Sequence, residues 1–216
     1  MSARDDILGR IHSAAGRPTP ATADARAAYE EAVGSAAPRP QWRDARRDRF
    51  LERLEAAAAT WAAVPDASAV PEAVGHYLVE RELPQVLHLA PHPRLDGMTW
   101  PEGWTVNRGT GGLAESRITV TVARFGIAET GTLMMPGGAA APPSMNLLAE
   151  HHLVVLDSDD LVDYQEQAWN AFRRENDALP RAVMMVTGPS RTADIEQTLQ
   201  LGAHGLRNLH VLLLGG

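Results

Sequence analysis

The chain has 216 residues, of which 44% are hydrophobic, and it carries a formal net charge of −7 at pH 7. This length and apolar content suffice for one folded domain with appendages, and the negative charge disfavours nucleic acid and acidic membrane surfaces as partners. There is no cysteine, and all 20 basic residues are arginine, which excludes disulfides, thiolate-bound metals and clusters, Schiff-base chemistry and the lysine of a P-loop.

Residues 1–44 are predicted to form a helix followed by a flexible arm. Ile7, Leu8 and Ile11 recur at helical spacing, whereas residues 17–40 are rich in Ala, Pro and Thr, as linkers are. The first residues lack the apolar run of about 7 to 15 residues of a secretory signal. No segment approaches the ~18 consecutive apolar residues of a membrane span. We therefore expect a cytoplasmic protein with neither a membrane nor a nucleic acid as partner.

Residues 45–216 are predicted to form the folded domain, because β-type runs alternate there with helical patterns. The predicted strands are 60–64, 85–89, 104–107, 117–123, 130–135, 153–156, 182–187 and 209–214. The predicted helices are 42–59, 69–82, 158–174 and 193–201. This alternation favours a layered α/β fold with a largely parallel sheet flanked by helices. The segment 117–135 contains no helical pattern and predicts a hairpin around Phe125–Glu129.

The stretch VMMVTGPSRTADIEQTL, 183–199, is the first candidate site. A loop between a strand and a helix would point backbone N–H groups and a guanidinium at a small carboxylate or phosphate. Alternatively, the hydroxyls cap the helix, and the acid complements its dipole or pairs with the arginine. The candidate ligand-binding residues here are Gly188, Ser190, Arg191, Thr192 and Asp194.

The second candidate is GIAETGTLMMPGG, 126–138, in which Glu129 lies in a predicted tight turn beside Thr130, Gly131 and Thr132. Glycine lets the backbone adopt unusual angles and lets a ligand approach closely. Glu129 is therefore a candidate nucleophile or general base, and the other three are candidate ligand contacts. Alternatively, its carboxylate caps amides of its own turn.

The histidines do not predict a metal centre. His151 and His152 are adjacent in a strand, so they point to opposite faces, and neither an HxH nor an HExxH spacing occurs. His204 and Gly205 lie in GAHG, a loop sequence suited to a ligand site. His210 lies in a predicted strand and is expected to serve packing.

Three motifs together resemble the lactate-utilisation protein C family, the LUD domain. They are GIAETGT at 126–132, TGPSRTADIE at 187–196, and GAHG followed by LHVLLL within 202–214. The resemblance implies a NagB/RpiA/CoA-transferase-like fold and a part in oxidising L-lactate to pyruvate. It also implies that partner proteins carry the iron-sulfur clusters, and it is compatible with a homodimer.

The chain departs from the family pattern at two places. Pro143 stands where members usually carry an arginine, with Asn146 near the usual serine, and Leu206 replaces a proline after GAHG. The first departure removes one cation from the expected anion pocket, and the second is an adjustment of a loop.

Three functional hypotheses follow. The first is a subunit of a lactate-oxidising system that binds a small anion between Glu129 and the 188–192 loop. The second is an acyl enzyme, related to CoA-transferases or hydrolases, that uses Glu129. The third is a regulator or scaffold whose N-terminal arm docks a partner. No motif supplies a complete catalytic triad or metal set, so the residues favour the first hypothesis and do not predict autonomous catalysis.

Overall fold

The computed structural model describes residues 3–15, 39–113, 117–176, 178–193, 199–201 and 206–215. The chain divides into one unit that ends at Arg43 and another that begins at Asp44. In the first unit, helix α1 spans Ala3–Ala15 and exposes Ile7, Leu8 and Ile11 to solvent. The helix predicted from their spacing is confirmed, whereas most of the predicted linker, 17–38, lies outside the described residues.

The second unit contains the remaining described helices and strands. Its helices are α2 (Arg46–Ala56), α3 (Val70–Glu80), α4 (Pro93–Asp96) and α5 (Gln165–Glu175). Its strands are β1 (Thr60–Val64), β2 (Val86–Leu89), β3 (Thr105–Arg108), β4 (Ile118–Val122), β5 (Phe125–Ile127), β6 (Thr132–Pro136), β7 (His151–Asp157), β8 (Leu161–Val162), β9 (Val183–Val186), β10 (Arg191–Ala193), β11 (Leu199–Leu201) and β12 (Asn208–Leu214). Single 3-10 turns span Ala67–Ala69, Pro143–Asn146 and Ser158–Asp160.

The main sheet is parallel and has the strand order β1-β12-β7-β4-β2-β3 in the described part of the chain. All five residues of β4 are buried, as are the first six of β7. Burial on both faces is typical of central strands in a parallel sheet, which explains the apolar run LVVL (153–156) in β7 and the absence of charged residues from ITVTV in β4. The predicted layered α/β fold with a largely parallel sheet is confirmed.

Alternate residues of the central strands enter different cores. Leu153 and Val155 of β7 pack in one cluster with Val74 and Leu78 of α3. Val154 and Leu156 pack in another cluster, which contains α2 and part of a second sheet. The period of two along a strand therefore places α3 on one face and α2 on the other.

The second sheet has the order β8-β5-β6-β9 and is mostly antiparallel. Leu133 and Met135 of β6 face the main sheet, whereas Met134 packs in an outer cluster with Ala168 and Phe172 of α5. Helix α5 therefore covers the outer face of this sheet. No helix within the described ranges is long and apolar enough to cross a membrane.

The hairpin predicted for 117–135 is wrong in its pairing. Strand β4 belongs to the main sheet, and the chain continues beside β7 through the bond from Ala123 N to Val155 O, 3.0 Å. It then changes sheets at Arg124, whose N–H donates to Met134 O at 2.9 Å. The hairpin consists of β5 and β6, and its turn lies at Ala128–Gly131.

The helix predicted for 193–201 is also wrong. β10 and β11 pair antiparallel, so the backbone groups at both ends of that segment bond across a ladder. The preceding strand, β9, pairs antiparallel with β6 in the second sheet and does not enter the parallel one. A short apolar run such as VMMV does not specify which sheet it joins.

The helix predicted for 158–174 is shorter than expected. The Asp157 carboxylate accepts a hydrogen bond from Asp159 N at 3.1 Å and stabilises a 3-10 turn. The next two residues pair with β5 as β8. The helix begins only at Gln165. The Gln167 side chain accepts a hydrogen bond from Tyr164 N at 3.1 Å and so caps the first turn.

Candidate functional site

A cavity of about 540 Å³ lies beyond the carboxyl ends of three parallel strands. β2 ends at Leu89, β4 at Val122 and β7 at Asp157, and the chain after each strand contributes to the wall. This edge is where open α/β sheets place their ligands. We call this space the strand-end cavity.

The wall of the strand-end cavity combines charged and apolar groups. Its charged or titratable residues are His92, Arg94, Arg124, Asp160 and Glu175. Its other residues are Val122, Ala123, Pro136, Gly138, Ala139, Ala140, Ala141, Phe172 and Asn176. The cavity therefore suits a small ligand that has both an ionic and an apolar part.

Arg124 is the centre of an ion-pair network in this wall. Its Nη1 donates to Asp160, and its Nε donates to Glu175 Oε2 at 2.9 Å while Nη2 donates to Glu175 Oε1. Arg94 Nη2 donates to the other Asp160 oxygen at 3.3 Å. Asp160 thus holds both guanidinium groups, whereas Glu175 occupies the two-nitrogen edge of Arg124 alone.

His92 contributes a neutral imidazole. It precedes α4, and its Nδ1 accepts a hydrogen bond from Arg94 N at 3.2 Å. Burial lowers the pKa of His92, and the adjacent Arg94 charge lowers it further. With Nδ1 as an acceptor, the neutral ring carries its proton on Nε2 and can donate to a ligand oxygen.

A second candidate region lies at the end of the second sheet that is farther from the strand-end cavity. Thr130 Oγ1 lies 2.7 Å from Thr132 Oγ1, which lies 2.9 Å from Thr187 Oγ1. We call these three hydroxyls the threonine cluster. The fold thus brings together GIAETGT and TGPSR, because β6 pairs with β9. The threonine cluster and the strand-end cavity lie at opposite ends of β6, which begins at Thr132 and ends at the cavity residue Pro136.

Both glycines of this region permit close packing against α2. Gly131 has φ +69, and a Cβ on it would lie 2.6 Å from Leu54 N. A Cβ on Gly188 would lie 2.6 Å from Ala57 O. The helix end beside Gly188 is a carboxyl end, which carries partial negative charge. The residues that follow this loop, Arg191–Ala193, lie in β10, so they do not form the helix N-terminus on which the predicted anion site is based.

The remaining predicted site residues are placed as follows. Glu129 is half-buried, and its N–H donates to Asp163 O at 3.0 Å, while Ser190 is exposed and its N–H donates to Leu206 O at 2.8 Å. The backbone of Arg191 and Thr192 lies in β10. Asp194, His204 and Gly205 lie outside the described residues. The ligand contacts predicted in both segments stay predictions.

The departures from the family pattern also have a place in the fold. Pro143 begins a 3-10 turn, and its Cγ lies 2.8 Å from where a Cβ on Gly137 would stand. Asn146 ends the same turn and is buried. The proline thus packs against the segment that leads from β6 into the cavity wall.

The strand histidines are packed side chains. His151 Nδ1 lies 2.9 Å from Tyr77 Oη, and His152 Nε2 lies 2.6 Å from Thr121 Oγ1. The two rings point to opposite faces of the sheet, as predicted. His210 is buried beside Tyr77, with ring centroids 4.6 Å apart, which confirms its packing role. Across the described part of the chain, no three His, Asp or Glu residues are grouped as a metal site would require.

The charged residues of the strand-end cavity were missed at the level of sequence. A signal was present, because polar residues directly follow three predicted strands, in APHPR (90–94), AR (123–124) and DSDD (157–160). Parallel strands bring such residues to one edge. Glu175 carried no comparable signal, since the last residue of an amphipathic helix is usually solvated.

The chain matches the model of one protein family, described as the LUD domain, over residues 47–214. An uncharacterised protein of Neisseria meningitidis is 35% identical over 92 residues, covering 43% of this chain and 40% of that protein. Lactate utilization protein C of Halalkalibacterium halodurans is 29% identical over 94 residues, covering 42% and 41%. The matched segments thus span about two fifths of these relatives' lengths.

A solved structure has the same fold. The crystal structure of a DUF162 family protein from Deinococcus radiodurans aligns with a TM-score of 0.58 and covers 82% of this chain and 100% of that one. The sequences are 21% identical in this alignment. The likeness shows the shared architecture and carries no statement about ligands.

Proposed function

Since this chain belongs to the LUD domain family, we propose that it is a component of a lactate-utilisation system that binds a small anionic ligand. The observation that carries the ligand part is the strand-end cavity, where two guanidinium groups and a neutral imidazole meet. The lactate-utilisation part is supported by a relative named lactate utilization protein C, which is 29% identical over 94 residues.

In this proposal, electron transfer takes place in partner proteins. A protein without cysteine cannot hold an iron-sulfur cluster through thiolates. The contribution of this chain is then to bind the substrate or product carboxylate, or to hold the partners that do. We also propose that the chain and these partners are cytoplasmic.

Gene deletion tests this function in the organism that encodes the chain. We expect the deletion strain to lose growth on L-lactate and to keep growth on pyruvate, because only the oxidation step is missing. The wild-type gene should restore growth. Growth on L-lactate at the wild-type rate in the deletion strain, with no lactate oxidation lost in its extract, would contradict the proposal.

A second function has one observation in its favour. Among the residues whose side chains the structure describes, none gives the half-buried Glu129 side chain a hydrogen bond or an ion pair, so it is available as a nucleophile. Attack on an acyl-CoA would form an acyl-glutamyl anhydride, break the C–S bond and release coenzyme A thiolate. Incubation with acetyl-CoA and propionyl-CoA should then add the mass of the acyl group to the wild-type protein and not to Glu129→Gln. Unchanged masses, with no thiol released, would exclude this function.

A further inference from the structure

The pairing of Arg124 with Glu175 resembles the way an arginine binds a free carboxylate. Two nitrogens on one edge of the guanidinium donate to the two oxygens of one carboxylate, which is the bidentate geometry that carboxylate-binding sites use. The pair lies in the wall of a cavity large enough for a small ligand. A carboxylate of the chain itself therefore stands where a ligand carboxylate could bind.

Glu175 is the more exposed of the two carboxylates that bind Arg124. Its side chain is 42% exposed, whereas that of Asp160 is 15% exposed. It is also the last residue of α5, where the backbone carbonyls place partial negative charge beside it. The bidentate geometry strengthens this pair, but its exposure lets water screen the pair and solvate the freed carboxylate. Glu175 can therefore exchange with a ligand carboxylate that makes the same two hydrogen bonds.

Arg124 stays in place when Glu175 leaves. Its Nη1 remains bound to Asp160, which Arg94 holds from the other side. The guanidinium also lies over the Phe125 ring, with Cζ 4.1 Å from the ring centroid. The edge that Glu175 vacates is thus already oriented toward an incoming group, and little freedom is lost when a ligand binds.

The charge balance of the cavity selects a singly charged ligand. Arg94 and Arg124 pair with Asp157, Asp160 and Glu175, so the two cations already meet three carboxylates. Replacing Glu175 by one monocarboxylate keeps this balance, whereas a doubly charged phosphate would add an anion beside Asp160. The apolar wall at Ala139–Ala141 suits a methyl group.

We propose that Arg124 binds the carboxylate of a short 2-oxo or 2-hydroxy monocarboxylate in the strand-end cavity, and that Glu175 is an internal competitor for the same guanidinium edge. The Nε2–H of His92 donates to the 2-oxygen of the ligand. This inference rests on the proposed function for its choice of L-lactate and pyruvate as ligands.

Titration calorimetry of the full chain with pyruvate, and separately with L-lactate, tests the proposal. Glu175→Gln should bind at least one of them about two- to fivefold more tightly than wild type, the factor that corresponds to an exposed ion pair. Arg124→Lys keeps the charge but loses the two-nitrogen edge, and should bind at least about tenfold more weakly. Glu166→Gln, an exposed acid of the same helix, should bind like wild type.

Several results would overturn the inference. They are equal or weaker binding by Glu175→Gln, wild-type binding by Arg124→Lys, and no binding by any variant. If Arg124→Lys does not fold, the comparison of Glu175→Gln with wild type decides alone. Growth on L-lactate is measured separately. If the deletion strain fails to grow on L-lactate but the purified protein binds no monocarboxylate, this inference is rejected and the proposed function is kept.

Discussion

At the scale of single residues, Gly131 shows that a glycine in a candidate site can be required for packing. Its positive φ and its contact with the backbone of α2 both exclude a side chain. Gly188 makes a similar approach to Ala57. The contacts seen at both positions are with the helix, and a ligand contact there would be additional to them.

Replacing Gly131 by alanine should destabilise the protein by about 2 to 5 kcal/mol, from left-handed strain and from overpacking against Leu54. Urea unfolding followed by circular dichroism measures this loss. Gly97→Ala is the matched control, because Gly97 has φ −87 and open space around it. A loss for Gly131→Ala no larger than that for Gly97→Ala would mean that the turn does not pack as described.

His152 is a buried group that must stay neutral. Burial lowers its pKa from the usual 6.5 to about 3, so between these values the unfolded chain binds a proton that the folded protein excludes. Stability is therefore lost as the pH falls from about 6.5 toward 3, by about 1.4 kcal/mol per pH unit for this histidine.

The free energy of unfolding, measured between pH 6.5 and 4.5, checks this dependence. His152→Gln should reduce the slope against pH by about that amount, whereas His76→Gln, at an exposed position, should not change it. His210, whose pKa burial lowers to about 4, contributes in the same direction in all three proteins. Identical slopes in wild type and His152→Gln would show that His152 binds protons equally in the folded and unfolded states.

At the scale of elements, α2 joins the two sheets. Phe50 and Leu54 are fully buried in the cluster between them, and Arg46 donates to both Asp163 oxygens at 2.9 Å. Because the Arg46 pair is half-exposed, burial of the apolar side chains is the larger contribution.

Leu54→Ala should therefore cost about 2 to 5 kcal/mol in stability, because it leaves a cavity between the sheets. Glu52→Ala, on the exposed face of the same helix, should change stability by less than about 0.5 kcal/mol. Chemical denaturation of both variants gives the comparison. Equal stabilities would mean that α2 does not contribute to this core.

The sequence could predict those strands in which nearly every residue is buried. β7 and β12 contain the apolar runs LVVL (153–156) and VLLL (211–214), because both faces of the main sheet are covered. β9 is also apolar, yet its neighbour is β6, and nothing local to 183–186 specifies that partner. The 193–201 segment is predicted to be helical, but its described ends, Ala193 and Leu199–Leu201, lie in paired antiparallel strands.

From the sequence, Glu129 and the segment at Gly188 could be assigned to one candidate site only through the family resemblance. The strand-end cavity depends on which strands are parallel neighbours, which is a property of tertiary pairing. Arg124 looks like an ordinary residue between two strands until β4 and β5 are seen to belong to different sheets.

At the scale of the whole molecule, the proposal is that lactate oxidation is divided between proteins, with a carboxylate-binding cavity in this chain and iron-sulfur centres in partner proteins. Affinity purification of the tagged full chain from lactate-grown cells under anoxic conditions should recover iron-containing partners. The chain expressed alone should contain no iron. Partner fractions without iron would contradict this division.

A crystal structure of the full chain with saturating pyruvate tests the proposed carboxylate site. We expect pyruvate in the strand-end cavity, with its carboxylate on the Nε and Nη2 edge of Arg124 and Glu175 turned away. Pyruvate bound instead beside Glu129 and the threonine cluster, or an empty cavity with Glu175 still on Arg124, would contradict it.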